Sequence, residues 1–434
     1  MGLSERWHEI RTGFAPAFWI ANGTELFERL AYYGLSAVLA IYLHEHLHFS
    51  DEQTGSLQGI FGFVVWFLPI FGGALADRLG YRRILSLAYL ILSVGYFLIG
   101  SIGAPWLAPV RAAVPLYWVV LAILMIPALG PGLVKPVVAG TTARASSEAM
   151  RSFGYSIYYT IVNIGGALGP LVASGVRSSL GVESVFYMSA LFSFAMFLST
   201  LLFFRELPVP AEHQVQTVGA AARNMVRVLR DLRVMVFLLI FSGFYVVFWQ
   251  VYVALPLFVR EYVNARSPID ALISIEGFSV IATTVAVAWA TRRFRPITTM
   301  ATGVLITALS WLLLTVSGAT PFIAATLVGV AIGEVTQAPR YYEYVSKLAP
   351  KGQEATYIGY AFLPIAIGYL LGGPLGGWLV RYFGTVVHRS AAMWYVVSAI
   401  GVLTAALLWL YDRIVKPGRE AAEGGVQGSP QTAS

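Results

Sequence analysis

The stretch Glu25-Leu-Phe-Glu28-Arg29-Leu-Ala-Tyr32-Tyr33-Gly34 places three charges inside an apolar segment that is long enough to cross a membrane. A charged side chain at the centre of a bilayer costs about 2.5–3.5 kcal/mol on insertion scales. Residues three and four apart share one face of a helix, so both carboxylates and the guanidinium lie together. Because lipid does not tolerate such a face, the stretch predicts a helix that lines a substrate or proton pathway.

The composition of the whole chain predicts a membrane protein. Of its 434 residues, 57% are hydrophobic and 12% are charged, whereas soluble globular domains have about 25% charged residues. The chain has no cysteine, which excludes disulfides and thiolate metal sites. No nucleophile–base pair, metal cluster or phosphate-binding loop occurs at a plausible spacing. We therefore expect a protein that is not an enzyme.

Apolar segments of membrane-spanning length occur twelve times along the chain. They cover residues 17–43, 53–76, 84–103, 114–140, 152–176, 183–204, 234–259, 268–290, 297–317, 321–346, 355–380 and 390–412. Of the 29 lysines and arginines, 20 fall on the side of both termini, six on the other side and three within the segments. This bias predicts a multi-pass protein of the cell membrane with both termini in the cytoplasm. It also explains the positive net charge without a nucleic-acid partner.

A repeat divides these segments into two sets of six. The fifth segment contains Gly169-Pro-Leu-Val-Ala-Ser-Gly-Val-Arg177, and the eleventh contains Gly373-Pro-Leu-Gly-Gly-Trp-Leu-Val-Arg381, which begins 204 residues later. The match indicates a parallel duplication, which is the organisation of major facilitator transporters. We therefore expect an all-α membrane protein with the major facilitator fold and 12 transmembrane helices. The sequence predicts a first six-helix half at residues 1–204 and a cytoplasmic linker at 205–233. A second six-helix half follows at 234–413, and a disordered tail at 414–434.

Two interpretations of the linker remain open. One helical face carries the basic side chains and another the apolar ones: Arg223, Arg227 and Arg230 against Met225, Leu229 and Leu232. Such a helix can lie on the anionic cytoplasmic leaflet. The alternative is a solvated linker helix without affinity for lipid.

The loop between the second and third segments reads Gly73-Ala-Leu-Ala-Asp77-Arg78-Leu-Gly80-Tyr-Arg82-Arg83. It resembles the major facilitator loop motif, in which an acid and basic residues form a conformational latch between helices. The resemblance makes Asp77, Arg78 and Arg82 candidates for this latch. The alternative is a basic loop that only follows the charge bias of the topology.

Several motifs together resemble those of the proton-dependent oligopeptide transporter family. The opening stretch matches the family's Glu-x-x-Glu-Arg-Phe-x-Tyr-Tyr-Gly, with Leu30 where Phe is usual. The further matches are Trp66-Phe-Leu-Pro69-Ile-Phe-Gly72-Gly73, Gly130-Pro-Gly-Leu-Val-Lys135-Pro136, Tyr158-Tyr159-Thr-Ile-Val-Asn163-Ile-Gly165 and Gly333-Glu334-Val-Thr-Gln-Ala-Pro339. All of them lie in the helices, and in the order, that the family shows.

This resemblance implies a symporter that imports di- and tripeptides by alternating access. Its energy source would be the proton gradient, with no cofactor. It implies proton coupling through Glu25, Glu28, Arg29 and Lys135, in which protonation of a carboxylate releases Lys135 from an ion pair and lets the halves move. The alternative is a static ion cluster. We expect a monomer in the lipid bilayer, with a small-molecule substrate and no bound metal; His44, His46 and His48 form at most a weak metal site.

The resemblance also implies a set of residues that bind the substrate. Glu334 would pair with a substrate ammonium group; the alternatives are a pair with Arg340 or a protonated carboxyl. Glu343 is expected to pair with Lys347 on the surface. The remaining candidates are Tyr32, Tyr33, Ser36, Trp66, Tyr158, Asn163, Trp249 and Gln250, although any one tyrosine is as well explained by packing.

Two departures from the family pattern leave more than one class of substrate possible. Ser36 stands where the family has an arginine that engages the peptide carboxylate, and Trp249 stands where it has an acid. A second interpretation is therefore the proton-coupled transport of another small organic solute or drug. A third, a receptor or scaffold that transports nothing, is disfavoured by the cost of the buried charges.

Overall fold

The computed structural model describes residues 13–148, 150–206, 223, 226, 228–349 and 354–415, and within these ranges every regular element is a helix. Twelve of the helices are long and apolar enough to cross a membrane. We number them α1 Pro16–His46, α2 Asp51–Gly73, α3 Tyr81–Gly100, α4 Leu116–Arg144, α5 Arg151–Leu180, α6 Val182–Phe203, α7 Leu232–Val263, α8 Ile269–Thr291, α9 Pro296–Val316, α10 Thr320–Leu348, α11 Tyr357–Val386 and α12 Ser390–Ile414. The twelve predicted segments are confirmed as helices.

Local sequence explains where several helices begin and end. Ser50 and Gln53 form a reciprocal capping box before α2, which satisfies backbone N–H groups that the first turn leaves free. Pro16 and Pro296 open α1 and α9, positions where proline removes no helical hydrogen bond. Gly80 follows the helix Pro69–Leu79, which continues α2, with a φ of 91°, a backbone conformation that side chains with a Cβ rarely adopt.

Helix α7 is interrupted near its middle, whereas its counterpart α1 is continuous from Pro16 to Ile41. The first part of α7, Leu232–Phe248, gives way to a 3-10 turn at Trp249–Val251 before helix resumes at Ala254–Phe258. Irregular backbone at this depth is tolerated where protein rather than lipid surrounds it, and Trp249 and Val251 are buried.

Glycines that lie just before the repeated motifs pack closely against a neighbouring helix in each set of six. Gly165 of α5 lies against Arg29 of α1, and Gly368 of α11 lies against Tyr245 of α7; a Cβ added at either glycine would come within 2.3 Å of the neighbouring side chain. The sets meet each other where α2 packs on α11 and α5 packs on α8. Small residues at such crossings allow close helix approach inside a membrane.

The helix bundle has two ends. We call the end that contains Ala15 and Asp412 the termini end, and the opposite end the distal end.

Most of the predicted linker, residues 205–233, and all of the tail after residue 415 lie outside the described residues. The amphipathic helix and the disordered tail therefore stay predictions.

Candidate functional site

The charged cluster of α1 lies in the protein interior, on one helical face as its spacing predicts. Glu25, Glu28 and Arg29 are each at most 1% exposed. The Arg29 Nε atom lies 3.2 Å from Glu25 Oε1 and donates a 2.5 Å hydrogen bond to Glu28 Oε2. Both oxygens of Glu25 and Oε1 of Glu28 accept no hydrogen bond from the described residues. The cluster thus holds two carboxylates against one guanidinium, with acceptor capacity left over.

Lys135 does not make the expected ion pair with Glu25 or Glu28. Its Nζ atom lies 3.8 Å from the centroid of the Trp66 ring, and no carboxylate of the described residues comes within 4.0 Å of it. Arg29 already pairs with both acids from their own helix, and a cation over a tryptophan face gains about 0.5–2 kcal/mol. The predicted partners are therefore wrong for this conformation, and Lys135 has a cationic head available to another anion.

Four aromatic side chains from α1, α2, α7 and α11 form a continuous surface beside Lys135. Trp66 donates from Nε1 to the Tyr32 hydroxyl at 3.1 Å and lies 6.0 Å from Trp249 between ring centroids. Trp249 stacks on Tyr369 at 4.0 Å. Within the described residues the Trp249 Nε1–H is buried without a hydrogen-bond acceptor. We call Tyr32, Trp66, Trp249 and Tyr369 the aromatic wall.

A small cavity of about 40 Å³ opens between the two sets of helices. Its polar lining comes from α1, α5, α7, α8 and α10: Tyr33, Asn163, Tyr252, Glu276 and Glu334. Glu276 and Glu334 are both acids, and both side chains line this cavity. A cavity of this size accepts water, whereas ligand pockets typically measure about 300–1,000 Å³. This cavity therefore holds water but is too small for a peptide.

Two predicted substrate contacts are engaged elsewhere in this conformation. The Ser36 hydroxyl donates to the Tyr32 carbonyl at 2.8 Å, within its own helix. The Gln250 amide donates to Val246 and Gly372 carbonyls at 2.7 and 3.0 Å, which ties the interrupted α7 to α11. Neither side chain lines the small cavity, and their contact with substrate stays a prediction.

The other predicted side chains lie as follows. Asn163 lines the cavity and donates from Nδ2 to the Tyr159 carbonyl at 2.8 Å, while Tyr158 is half-buried on the same helix. Arg340 pairs with Glu343 at 2.7 Å, so the alternative partner of Glu334 is taken. The predicted Glu343–Lys347 pair is confirmed at 2.6 Å.

The candidate latch residues lie at the termini end. Backbone N–H groups of Tyr81 and Arg82 donate to the Glu206 carboxylate at 2.7 and 3.0 Å. The Arg82 guanidinium donates to the Leu201 carbonyl on α6, and Arg78 is exposed. The side chain of Asp77 lies outside the described part of the structure, so the latch itself stays a prediction.

Ion pairs join the two sets of helices at the distal end. Arg177 of α5 pairs bidentately with Asp270 of α8 at 2.7 and 3.0 Å. Two further pairs are Arg260–Glu45, at 2.6 Å, and Arg381–Glu52. At the termini end, the ion pairs between described residues stay within one set, as Arg295–Asp412 does at 3.1 Å. The distal end is therefore held closed by contacts that the termini end lacks in the described ranges.

Glu276 is the functional residue that sequence reasoning missed. It is 7% exposed within α8 and faces Glu334 across the cavity. The signal was present, because an acid inside an apolar span costs as much in α8 as in α1. No motif drew attention to it, and its pairing with a residue 58 positions away leaves no local pattern.

Comparison with known proteins places the chain in one transporter family. A model of the Major Facilitator Superfamily matches residues 24–363 and 261–432. The multidrug resistance protein MdtH of Edwardsiella ictaluri is 25% identical over 382 residues, which cover 88% of this chain and 90% of that protein. MdtH of Escherichia coli O157:H7 is 24% identical over 387 residues, with 88% and 91% covered.

Solved structures with a similar fold include peptide transporters. A peptide transporter POT in complex with sulfate superposes with a TM-score of 0.73 at 18% identity, covering 93% of this chain and 95% of that one. A POT family transporter in complex with 5-aminolevulinic acid gives a TM-score of 0.75 at 16% identity, with 93% and 96% covered. At these identities the likeness shows a shared fold.

Proposed function

The chain belongs to the Major Facilitator Superfamily, and we propose that it imports short peptides together with protons. It is a multi-pass membrane transporter and not an enzyme. One observation carries the proposal: opposite charges are offered from the two halves. The first half presents Lys135, whose Nζ atom has no described carboxylate within 4.0 Å, and the second presents the carboxyl pair Glu276–Glu334. A zwitterionic peptide is complementary to that arrangement.

The substrate contacts follow from groups that lack partners or face the cavity. The peptide ammonium group binds Glu334 and Glu276, and its carboxylate binds Lys135, which takes over the role of the arginine that Ser36 replaces. Trp249 Nε1–H and the Asn163 side chain offer hydrogen bonds to the peptide backbone. Peptide side chains pack on the aromatic wall. The cavity must widen before binding, as alternating access between two conformations requires.

Charge balance links the substrate to the proton. Two carboxylates on α1 face one guanidinium, and Lys135 supplies the second positive charge at longer range. When a peptide carboxylate neutralises Lys135, the cluster keeps one negative charge in excess, which a proton on Glu25 or Glu28 removes. Substrate and proton therefore bind cooperatively, and each raises the affinity for the other by the same factor.

The test is uptake into proteoliposomes under an imposed pH gradient, with dialanine and dialanine amide compared side by side. We expect dialanine to accumulate above its equilibrium concentration, a protonophore to abolish this accumulation, and the amide to accumulate poorly. The absence of any peptide accumulation, or accumulation that does not depend on the pH gradient, contradicts the proposal.

In the orientation predicted from the charge bias, the distal end faces outward, so this conformation is closed to the exterior.

A second candidate is the transport of lipophilic organic cations. It is favoured by the aromatic wall, by the acid pair Glu276–Glu334 and by the names of the MdtH relatives. A cation without a carboxylate needs the acid pair but not Lys135. Ethidium transport that survives Lys135→Ala, with dialanine transport absent from the unaltered protein, would select this second function.

A further inference from the structure

Three metal-ligating side chains meet at the distal end: His44 at the end of α1, Asp51 at the start of α2 and Glu261 at the end of α7. One imidazole nitrogen and one oxygen of each carboxylate lie within 4.8 Å of one another. His44 and Asp51 belong to the first half, and Glu261 belongs to the second. We propose that these residues bind a divalent transition-metal ion such as Zn²⁺, and that the bound ion links the two halves.

The spacing of the three side chains approaches that of a zinc site. Ligand atoms about 2.0–2.2 Å from a tetrahedral Zn²⁺ lie about 3.4 Å from each other. The His44 Nδ1 and Asp51 Oδ1 atoms are 3.4 Å apart, so the cluster needs only a small contraction on the side of Glu261. His44 Nδ1 also lies 3.0 Å from the Phe49 carbonyl, and a carbonyl only accepts. In the metal-free neutral ring Nδ1 therefore carries the proton, which must leave Nδ1 before that nitrogen can bind the ion, so binding depends on pH.

A second, independent observation points to a cation at this place. Asp51 is 6% exposed, and its Oδ1 atom accepts no hydrogen bond from the described residues. A buried carboxylate oxygen without a donor is costly, and a bound cation removes that cost. His44 is half-buried and Glu261 is exposed, so an ion can reach the site. One imidazole with two carboxylates favours Zn²⁺ over Mg²⁺ or Ca²⁺, which prefer oxygen ligands alone.

The position of the site indicates what the ion does. Immediate sequence neighbours of the ligands form cross-half ion pairs: Glu45 with Arg260, and Glu52 with Arg381. His44 and Glu261 lie in π-helical turns, Tyr42–His46 and Val259–Val263, which are frequent at functional sites. The three ligands come together only while the distal end is closed. A ligand favours the conformation that it binds best, so the ion stabilises this conformation and slows the alternation of access.

The first test measures binding and needs no transport. Zn²⁺ is titrated calorimetrically into the purified full chain without an affinity tag, and we expect one ion per chain. His44→Gln and Glu261→Gln should each weaken binding by about tenfold or more. The matched control is His48→Asn, a histidine in the same loop whose φ of 57° asparagine tolerates, and it should bind as the unaltered chain does. Excess Mg²⁺ should not compete.

The thermal unfolding of each variant shows whether it is folded, and Zn²⁺ should raise the Tm of the unaltered chain and of the control only. Absent binding, or binding that Glu261→Gln leaves unchanged, contradicts a site that links the halves. A second test, which rests on the proposed function, adds Zn²⁺ on the distal side of proteoliposomes and expects slower dialanine uptake that Glu261→Gln restores. Failure of transport itself would count against the proposed function, whereas the binding result stands independently of it.

Discussion

Helices α1 and α7 occupy equivalent places in the two halves but handle polarity in opposite ways. Each packs closely against a glycine, Gly165 or Gly368. Helix α1 is continuous and carries acids together with their own counter-charge, Arg29. Helix α7 is interrupted and presents Trp249, while the acids of its half lie on α8 and α10 and share a cavity whose described lining contains no cationic side chain. The comparison teaches that basic side chains of the protein balance the acids of the first half. In the second half, a cationic group of the substrate would balance Glu276 and Glu334.

Replacement of Lys135, beside the charged cluster of α1, should have the largest effect on transport. Lys135→Ala leaves the carboxylates of α1 with Arg29 alone, and the substrate carboxylate without its partner. We expect proton-driven accumulation of dialanine to be abolished, while exchange of dialanine across the membrane without a gradient continues. Uptake and counterflow in proteoliposomes measure the two separately. Lys347→Ala, at the surface pair with Glu343, is the control and should transport normally; uphill accumulation by Lys135→Ala would refute the coupling role.

Removal of a charge from the acid pair Glu276–Glu334 tests whether the second half binds the substrate ammonium group. A hydrogen bond to a charged group contributes about 1.5–3 kcal/mol, so Glu334→Gln should raise the KM for dialanine by about ten- to a hundredfold. N-acetyl-dialanine has no ammonium group, and its poorer transport should not change further in the variant. An equal loss for both substrates would assign Glu334 a structural role instead. Glu276→Gln should have a smaller effect in the same direction.

The repeat-related arginines at the distal end sharpen the comparison between halves. Arg177 pairs with the fully buried Asp270, whereas Arg381 and Glu52 are 56% and 36% exposed. Removing one partner of a buried pair leaves an uncompensated charge, while exposed pairs contribute about 0–1 kcal/mol. We expect Arg177→Ala to lower the Tm of the detergent-solubilised protein clearly, and Arg381→Ala to leave it nearly unchanged. Equal losses would show that the two sites are equivalent despite their different burial.

The smallest effect is expected at the aromatic wall. Trp249→Phe keeps an aromatic ring against Tyr369 but removes the unpaired Nε1–H. Because a neutral hydrogen bond contributes about 0.5–1.5 kcal/mol, the KM for dialanine should rise by a few-fold. Trp66→Phe removes a donor that is already paired with Tyr32 and serves as the comparison. If Trp249→Phe leaves the KM unchanged, the free donor does not contact the substrate.

Much of the membrane architecture could be predicted because its signals are local. Spans follow from apolar length, and the shared face of Glu25, Glu28 and Arg29 follows from helical spacing. Ser36 and Gln250 show the limit, since the sequence does not reveal that each donates a hydrogen bond to a backbone carbonyl. A sequence names the donor but does not show which acceptor lies nearest once helices have packed.

By itself, the sequence determined the twelve spans, the duplicated halves and the charged face of α1, since periodicity and the cost of charge in lipid act along one helix. Only the tertiary structure decided that Lys135 rests on Trp66, that Glu276 meets Glu334, and that His44, Asp51 and Glu261 converge. These contacts join residues far apart in the chain. Their formation depends on how two halves dock in one conformation, and no local pattern records that choice.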